Sequence, residues 1–333
     1  MKNKSKYNPL VSILIPVYNS ATFFEQTIVK NLEQSYKNIE YIIHDDCSTD
    51  NTYELLKNLA NKDERITIIK PVSNCGLGQS RNNLLNAARG EFVFFIDDDD
   101  RFVSKKSIEK CVKKLDPNTD IMATNFLYKL SFLKKPFFVL NFVKSHLKQK
   151  NALKYYSKNT IYAWANFYRL NFLKENNIQF LCRNYEDMAT MGHIFSNCKN
   201  FKSTEKNTII YNRVLSRISK FDNSFSNKLY QIADAYKINL NVLKQDFEKN
   251  NISMKLQEKV FQSLFMQHLH IIASWYFSLR NTSDKKAFSE FINNKYLDEI
   301  KIIHGKRKIK IRYIYNIQLL FVWHLFKKWK SNI

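Results

Sequence analysis

Phe92-Val93-Phe94-Phe95-Ile96 is a run of five apolar residues without a polar break, and it ends in Asp97-Asp98-Asp99-Asp100. A short solid run of aromatic and β-branched side chains reads as a strand buried on both faces. Four carboxylates at its end must then lie at the mouth of a sheet, where like charges raise one another's pKa or recruit a cation. A parallel sheet covered by helices supplies such a mouth, because ligands bind outside the carboxyl ends of its strands.

The rest of the first hundred residues agrees with that architecture. Val11 to Val17 reads as a buried strand, followed by a helix carrying Phe24, Ile28 and Leu32 at four-residue spacing. Tyr41-Ile42-Ile43 runs into the polar turn Asp45-Asp46-Cys47-Ser48-Thr49-Asp50, which is rich in helix-capping residues, and Leu55, Leu56 and Leu59 mark the next helix. Ile66 to Ile69 forms a strand closed by Pro71, and the Gly76/Gly78 turn opens a helix with Leu84, Leu85 and Ala88. Alternating strands and helices give an α/β fold in which Tyr18-Asn19, Asp45-Asp46 and Asp97 to Asp100 converge on one rim. Beyond it, Ile108, Cys111, Val112 and Leu115 predict a helix ended by Asp116-Pro117, and Ile121 to Tyr128 predict a strand. Residues 129–160 are Lys-rich and aromatic without a clear period and read as an insertion or a mobile segment. From about 225 the spacing of Leu240, Leu243 and Phe247, then Leu264, Phe265, Leu269, Ile272 and Tyr276, is helical. The expected division is therefore 1–220 and a helical region over 221–333.

Charge narrows the partners only in part. The formal net charge of +23 suits a polyanionic neighbour, whether nucleic acid, an anionic membrane surface or a phosphorylated substrate, but equally a chain that simply favours Lys and Asn. Five scattered cysteines with no CxxC argue against a zinc site or a disulfide framework, so a reducing, cytoplasmic setting is expected. The apolar stretch at 11–15 is too short for a signal peptide and is broken by Pro16. No apolar run approaches the roughly 18–20 residues that span a bilayer.

Each cluster has a bland reading beside the chemical one. The four aspartates suit Mn²⁺ or Mg²⁺ bridging to a diphosphate, or a solvated acidic loop capping the next helix. Asp45-Asp46 reads as a ligand pair or a plain turn. Gly76 to Arg81 reads as a phosphate-binding turn or a helix start with Arg81 on its surface.

In order along the chain, Val11-Ser12-Ile13-Leu14-Ile15-Pro16-Val17-Tyr18-Asn19, His44-Asp45-Asp46-Cys47-Ser48-Thr49-Asp50, Gly76-Leu77-Gly78-Gln79-Ser80-Arg81-Asn82, Gly90-Glu91-Phe92 and Ile96-Asp97-Asp98-Asp99-Asp100 resemble the motifs of family 2 glycosyltransferases of the GT-A fold. The resemblance is specific over residues 10–101. It is looser over 102–215, through Trp164 and Glu186-Asp187, and ends near 220. It implies a Rossmann-like, mainly parallel sheet flanked by helices, with a nucleotide-sugar-binding half over 1–101 and an acceptor half over 102–220.

By that resemblance Pro16, Tyr18, Asp45, Asp46, Gly76, Arg81, Asp97 and Asp98 would line the nucleotide, with Tyr18 against the base and Asp46 hydrogen-bonded to it. Asp97 and Asp99 fill the D-x-D positions, and Asp99 would be the direct ligand of Mn²⁺ or Mg²⁺. Cys47 departs from the Gly common there. The implied reaction is inverting transfer from a nucleotide diphosphate sugar, a UDP-sugar, to a hydroxyl of a bacterial surface glycan or glycolipid such as lipooligosaccharide or capsule. Asp187 of the Glu186-Asp187 pair is the expected general base. Trp164 would sit near the acceptor or in the core, and His193 would touch the diphosphate or be an ordinary satisfied histidine. Rival readings are an inactive scaffold of the same fold and a basic nucleic-acid-binding protein, the latter opposed by the acidic rim. Lys306 to Arg312 and the aromatic stretch after it suit either an interfacial helix at an anionic membrane surface, peripheral on its cytoplasmic face, or a packed terminal helix.

Overall fold

Strands β1 (Val11–Val17), β2 (Ile39–Asp45), β3 (Ile66–Ile69) and β4 (Phe92–Phe95) lie parallel in the computed structural model, which describes residues 7–130, 151–159, 162–213, 223–279 and 282–292 together with Lys295. Every residue of β1, β2 and β4 is buried; β4 is wholly apolar, while the polar Ser12 of β1 and Glu40 of β2 satisfy each other, Ser12 Oγ donating to Glu40 Oε1 at 2.6 Å. Burying each large side chain contributes roughly 1.5–3 kcal/mol, so this half-sheet anchors the fold. Helices α1 (Thr52–Ala60) and α2 (Leu77–Ala87) make the parallel crossovers.

The sheet continues through β5 (Arg101–Phe102), β6 (Ile121–Leu130), β7 (Asn166–Arg169) and β8 (Phe201–Arg213), in the order β3-β2-β1-β4-β7-β6-β8-β5. β7 runs antiparallel to β4 and β6, and β6 runs parallel to β8. From β1 the chain steps outward to β2 and β3 and then returns to place β4 on the other side. Such a reversal opens a crevice at the carboxyl ends of the strands. The fold is a mixed α/β sheet flanked by helices, as the alternation of elements predicts.

Between β4 and β8 come α3 (Ser107–Val112), α4 (Ala152–Tyr156), α5 (Leu170–Glu175) and α6 (Glu186–Asn197). After β8 follow α7 (Asn223–Lys249), α8 (Met254–Ser278) and α9 (Thr282–Phe291). Leu240, Leu243, Phe247, Leu264 and Leu269 are buried in the same apolar cluster as the sheet. Among the described residues, no helix is long and apolar enough to cross a membrane.

Two segments differ from the sequence expectation. The helix expected around Phe24, Ile28 and Leu32 is a π-type turn over Glu25–Val29, with the Val29 amide donating to the Phe24 carbonyl at 3.1 Å. All three apolar residues are still buried, so the wider turn keeps the packing that a four-residue period encodes. Part of the Lys-rich stretch is also ordered core. In α4, Ala152, Leu153, Tyr155 and Tyr156 are buried, and Tyr155 packs on Phe201 with ring centroids 4.9 Å apart. Residues 131–150 and the basic aromatic stretch over 306–333 lie outside the described residues.

Candidate active site

The loops after β1, β2 and β4 are stitched together at the carboxyl end of the sheet. The Tyr18 amide donates to Asp98 Oδ2 at 3.2 Å, and the Ser20 hydroxyl donates to the same oxygen. The Asn19 amide reaches Ser48 Oγ at 3.0 Å, and the Asp46 amide donates to the Val17 carbonyl at 2.9 Å. All three polar clusters read from the sequence therefore share one rim. Tyr18 is 49% exposed there, unusual for a residue that continues a buried strand, while Pro16 is buried within β1 opposite His44.

Asp46 organises the neighbouring loop. Its Oδ1 accepts the Cys75 amide at 2.7 Å, its Oδ2 accepts the Gly76 amide at 2.8 Å, and its carbonyl accepts Asn74 Nδ2 at 2.8 Å. Asp45 is fully buried, accepts the Ser48 amide at 3.3 Å and has Lys70 Nζ 3.9 Å away. Donor atoms of His44, Asp46 and Cys75 lie within 4.8 Å of one another. The Asp46 oxygens are engaged by the loop amides and the Cys75 thiol, and His44 Nε2 is 3.0 Å from Asn83 Nδ2, while His44 Nδ1 is buried without a hydrogen-bond partner.

Arg81 overturns the surface reading of its helix position. It is 2% exposed, donates from Nε to Glu186 Oε1 and from Nη2 to Asp97 Oδ1, both at 2.9 Å, and is flanked by the rings of Phe95 and Phe180. Burial alone would lower its pKa, but Asp97 and Glu186 outweigh that and hold the guanidinium firmly charged. Its Nη1 is buried without a hydrogen-bond partner. One buried cation thus joins the D-x-D turn to the Glu186-Asp187 pair.

Asp187 follows in the first turn of α6, where the helix dipole favours a carboxylate. Burial, with the neighbouring Glu186 second, nevertheless raises its pKa to about 7, while Arg81 pulls the other way. A carboxyl poised near neutrality is suited to moving a proton.

The four aspartates divide by what they touch. Asp97 faces Arg81, and Asp98 holds the Tyr18–Ser20 loop. Asp100 is buried and accepts the Asn212 amide at 2.8 Å, and Asn212 Nδ2 also donates to the Asp99 carbonyl. Burial, then repulsion from Asp97 and Asp99, raises Asp100 to about 9; burial with Asp99 and Asp97 nearby raises Asp98 to about 7. Crowded, desolvated carboxylates of this kind bind a hard divalent cation through oxygen, so the residues fit Mg²⁺ or Mn²⁺.

The glycine turn has a use that sequence reading missed. A Cβ on Gly78 would come within 2.0 Å of the Cys182 carbonyl oxygen, and one on Gly76, at φ +84°, within 2.3 Å of Arg183 Cγ. The close approach is to the 181–185 loop leading into α6, and the Gly78 amide is capped by the Arg183 carbonyl at 3.2 Å. Positive φ at the non-glycine residues Asn19, Cys47, Ala165, Cys182 and Tyr185 marks the loops around the rim. Such conformations cost of order 1–3 kcal/mol each and gather where function demands them. Cys47, at φ 60°, donates its thiol to the Pro71 carbonyl at 3.2 Å.

Trp164 is 4% exposed, stacked on Tyr162 and Tyr211 with centroids 4.6 and 4.9 Å away. His193 takes the satisfied role: its Nδ1 meets Asp246 Oδ2 at 2.7 Å, tying α6 to α7. Ser20, Asn74, Arg183 and Asn212 brace the site but sit in stretches without a motif, so only their partners reveal them.

Comparison with known proteins bears on the family and the fold. Residues 12–175 match the family model Glycosyl transferase family 2. The putative teichuronic acid biosynthesis glycosyltransferase TuaG of Bacillus subtilis is 40% identical over 106 residues, 32% of this chain and 42% of that one. The chain spans 40–42% of the length of such curated relatives. Among solved structures, S. aureus TarS 1-349 in complex with UDP-GlcNAc superposes with a TM-score of 0.54 at 18% identity, covering 88% of this chain and 90% of that one. The mannosyltransferase PcManGT from Pyrobaculum calidifontis, in complex with GDP-Man and Mn²⁺, gives 0.53 at 16% identity, with 87% and 76% covered. These likenesses show a GT-A glycosyltransferase fold.

Proposed function

Because residues 12–175 are a glycosyl transferase family 2 domain, we propose that this chain catalyses inverting transfer of a sugar from a UDP-sugar to a hydroxyl of a bacterial surface glycan or glycolipid. The observation that carries the reading is Arg81, buried between Asp97 of the acidic turn and Glu186 beside Asp187. It keeps the leaving-group side and the base side of one crevice at a fixed separation.

In this mechanism Tyr18 stacks on the nucleobase and Asp46 accepts its N–H, with Pro16, Asp45 and Gly76 shaping the seat. Asp98 acts through the Tyr18 backbone it holds. Asp99 and Asp97 would hold Mn²⁺ or Mg²⁺, which when bound would supply positive charge against the diphosphate of the donor. Asp187, deprotonated, takes the proton of the acceptor hydroxyl as that oxygen bonds to the anomeric carbon and the bond to the diphosphate oxygen breaks. General-base help of this kind is worth about 10²–10⁴ in rate. Glu186 and Arg81 orient Asp187, and Trp164 supports the acceptor side.

The name of the teichuronic acid relative supports a surface-glycan acceptor, the UDP-GlcNAc of the TarS complex a uridine donor, and the Mn²⁺ of the mannosyltransferase complex a metal requirement. The basic aromatic stretch over 306–333 would hold the enzyme on an anionic membrane surface, and its deletion should release the protein from anionic vesicles. The test is incubation with UDP- and GDP-sugars plus Mn²⁺, with products read by mass spectrometry. Release of UDP that is lost in Asp99→Ala is expected. If no nucleoside diphosphate is bound or released under any of these conditions, the proposal fails.

A further inference from the structure

We propose that Arg183 is a positioning residue that ties the nucleobase seat to the helix carrying Asp187, so that the two move as one unit; this rests on the donor and base assignments above. Arg183 is exposed, so apolar burial does not explain its placement. Its guanidinium donates through Nη2 to the Asn74 side-chain oxygen and, at 3.3 Å, to the Asn74 carbonyl, across 109 positions of sequence. Asn74 in turn donates from Nδ2 to the Asp46 carbonyl at 2.8 Å. The same Arg183 accepts the Gly78 amide on its carbonyl at 3.2 Å and lays its Cγ over Gly76, where a Cβ would stand 2.3 Å away.

On the other side the link to the chemistry is short. Cys182 and Tyr185 bracket the loop in left-handed conformations, φ 76° and 58°, and the next residues are Glu186 and Asp187. A loop with two such residues does not hold its shape unaided. The inner face is held without Arg183: Arg81 grips Glu186, and Asn82 exchanges two hydrogen bonds with Phe180, at 3.0 and 2.7 Å. The outer face is held by Arg183 toward Asn74 and, toward α7, by Asn184, whose Nδ2 donates to Gln231 Oε1 at 3.4 Å. An exposed hydrogen bond of this kind adds only about 1 kcal/mol to stability, so its loss leaves the fold intact and loosens the two loops it joins.

The experiment is hydrogen exchange by mass spectrometry on the full chain, comparing wild type, Arg183→Ala and Arg183→Lys. Without ligand, amides over 73–79 and 182–189 should exchange about five- to tenfold faster in Arg183→Ala, with the lysine variant between and β1–β4 unchanged. UDP should slow both segments in the wild type but only 73–79 in Arg183→Ala, and kcat should fall about tenfold or more with a smaller change in donor KM. Wild-type exchange in either segment of Arg183→Ala, or faster exchange in only one, would overturn the proposal. Should UDP protect neither segment of the wild type, the donor assignment fails instead, and the ligand-free comparison still decides the tie.

Discussion

Arg81 and Glu186 stand 105 positions apart in the chain and meet through a 2.9 Å Nε–Oε1 hydrogen bond, with side chains only 2% and 3% exposed. The pair fastens α2, beside the crevice at the carboxyl ends of the strands, to α6, which bears Asp187. Its second limb to Asp97 makes the arginine a three-way joint.

Removing one member strands the other's charge in a desolvated site, which costs about 3–5 kcal/mol. Arg81→Met should therefore lower the urea midpoint sharply, while Arg81→Met with Glu186→Leu should recover part of the loss. Urea unfolding followed by circular dichroism checks both; a single variant as stable as the wild type would contradict a buried joint.

Asp187→Asn should reduce kcat by roughly 10²–10⁴ and leave UDP affinity within a fewfold, as calorimetry would show. The pH dependence follows from burial, which lifts the Asp187 carboxyl to about 7. A base works only when deprotonated, so kcat/KM should rise with pH up to about 7 and level off above it. A rate already flat from pH 5 upward would exclude Asp187 as the titrating base.

Gly78 sits in the first turn of α2, where Ala would ordinarily favour the helix by roughly 1 kcal/mol. The Cys182 carbonyl 2.0 Å from the new Cβ decides the sign. Backbone displacement of this order costs about 1–3 kcal/mol, so Gly78→Ala should lower Tm and also weaken transfer, because the displaced loop leads into Glu186-Asp187. A neutral or stabilising effect in a thermal melt would count against the close packing.

His268 is buried, stacked on Tyr236 with centroids 4.5 Å apart, and burial lowers its pKa to about 3. Between its ordinary value near 6.5 and that figure the unfolded chain binds a proton the folded one does not, so stability falls on acidification. The slope contributed is about 1.4 kcal/mol per pH unit. His268→Phe should flatten the stability–pH curve below 6.5, measured by urea unfolding at stepped pH; an unchanged slope would sink the assignment.

Much of the parallel half-sheet was legible beforehand, for a local reason. Phe92 to Phe95 are apolar without interruption and Val11 to Val17 are apolar but for Ser12, and the polar residues at their ends, Tyr18 and Asp97, show where each strand leaves the core. The acidic turn was legible in the same way. Arg81 was not, because a helical arginine has the same sequence signature whether it faces water or two carboxylates. The glycine turn was legible as a turn opening a helix but not as to what packs against it, since Cys182 and Arg183 are more than 100 positions away. Tyr155 and Tyr156 looked like part of a Lys-rich insertion because only their contacts with Phe195 and Phe201 identify them as core.

By itself the amino-acid order determined the parallel half-sheet and the acidic rim at its carboxyl end, since buried strands and their polar exits are written in runs of neighbouring residues. The tertiary structure alone decided which carboxylates share Arg81, which aspartates brace loops, and which loop lies against Gly76 and Gly78. Those outcomes are set by pairings between segments some hundred residues apart, where desolvation and close packing act and local sequence is silent.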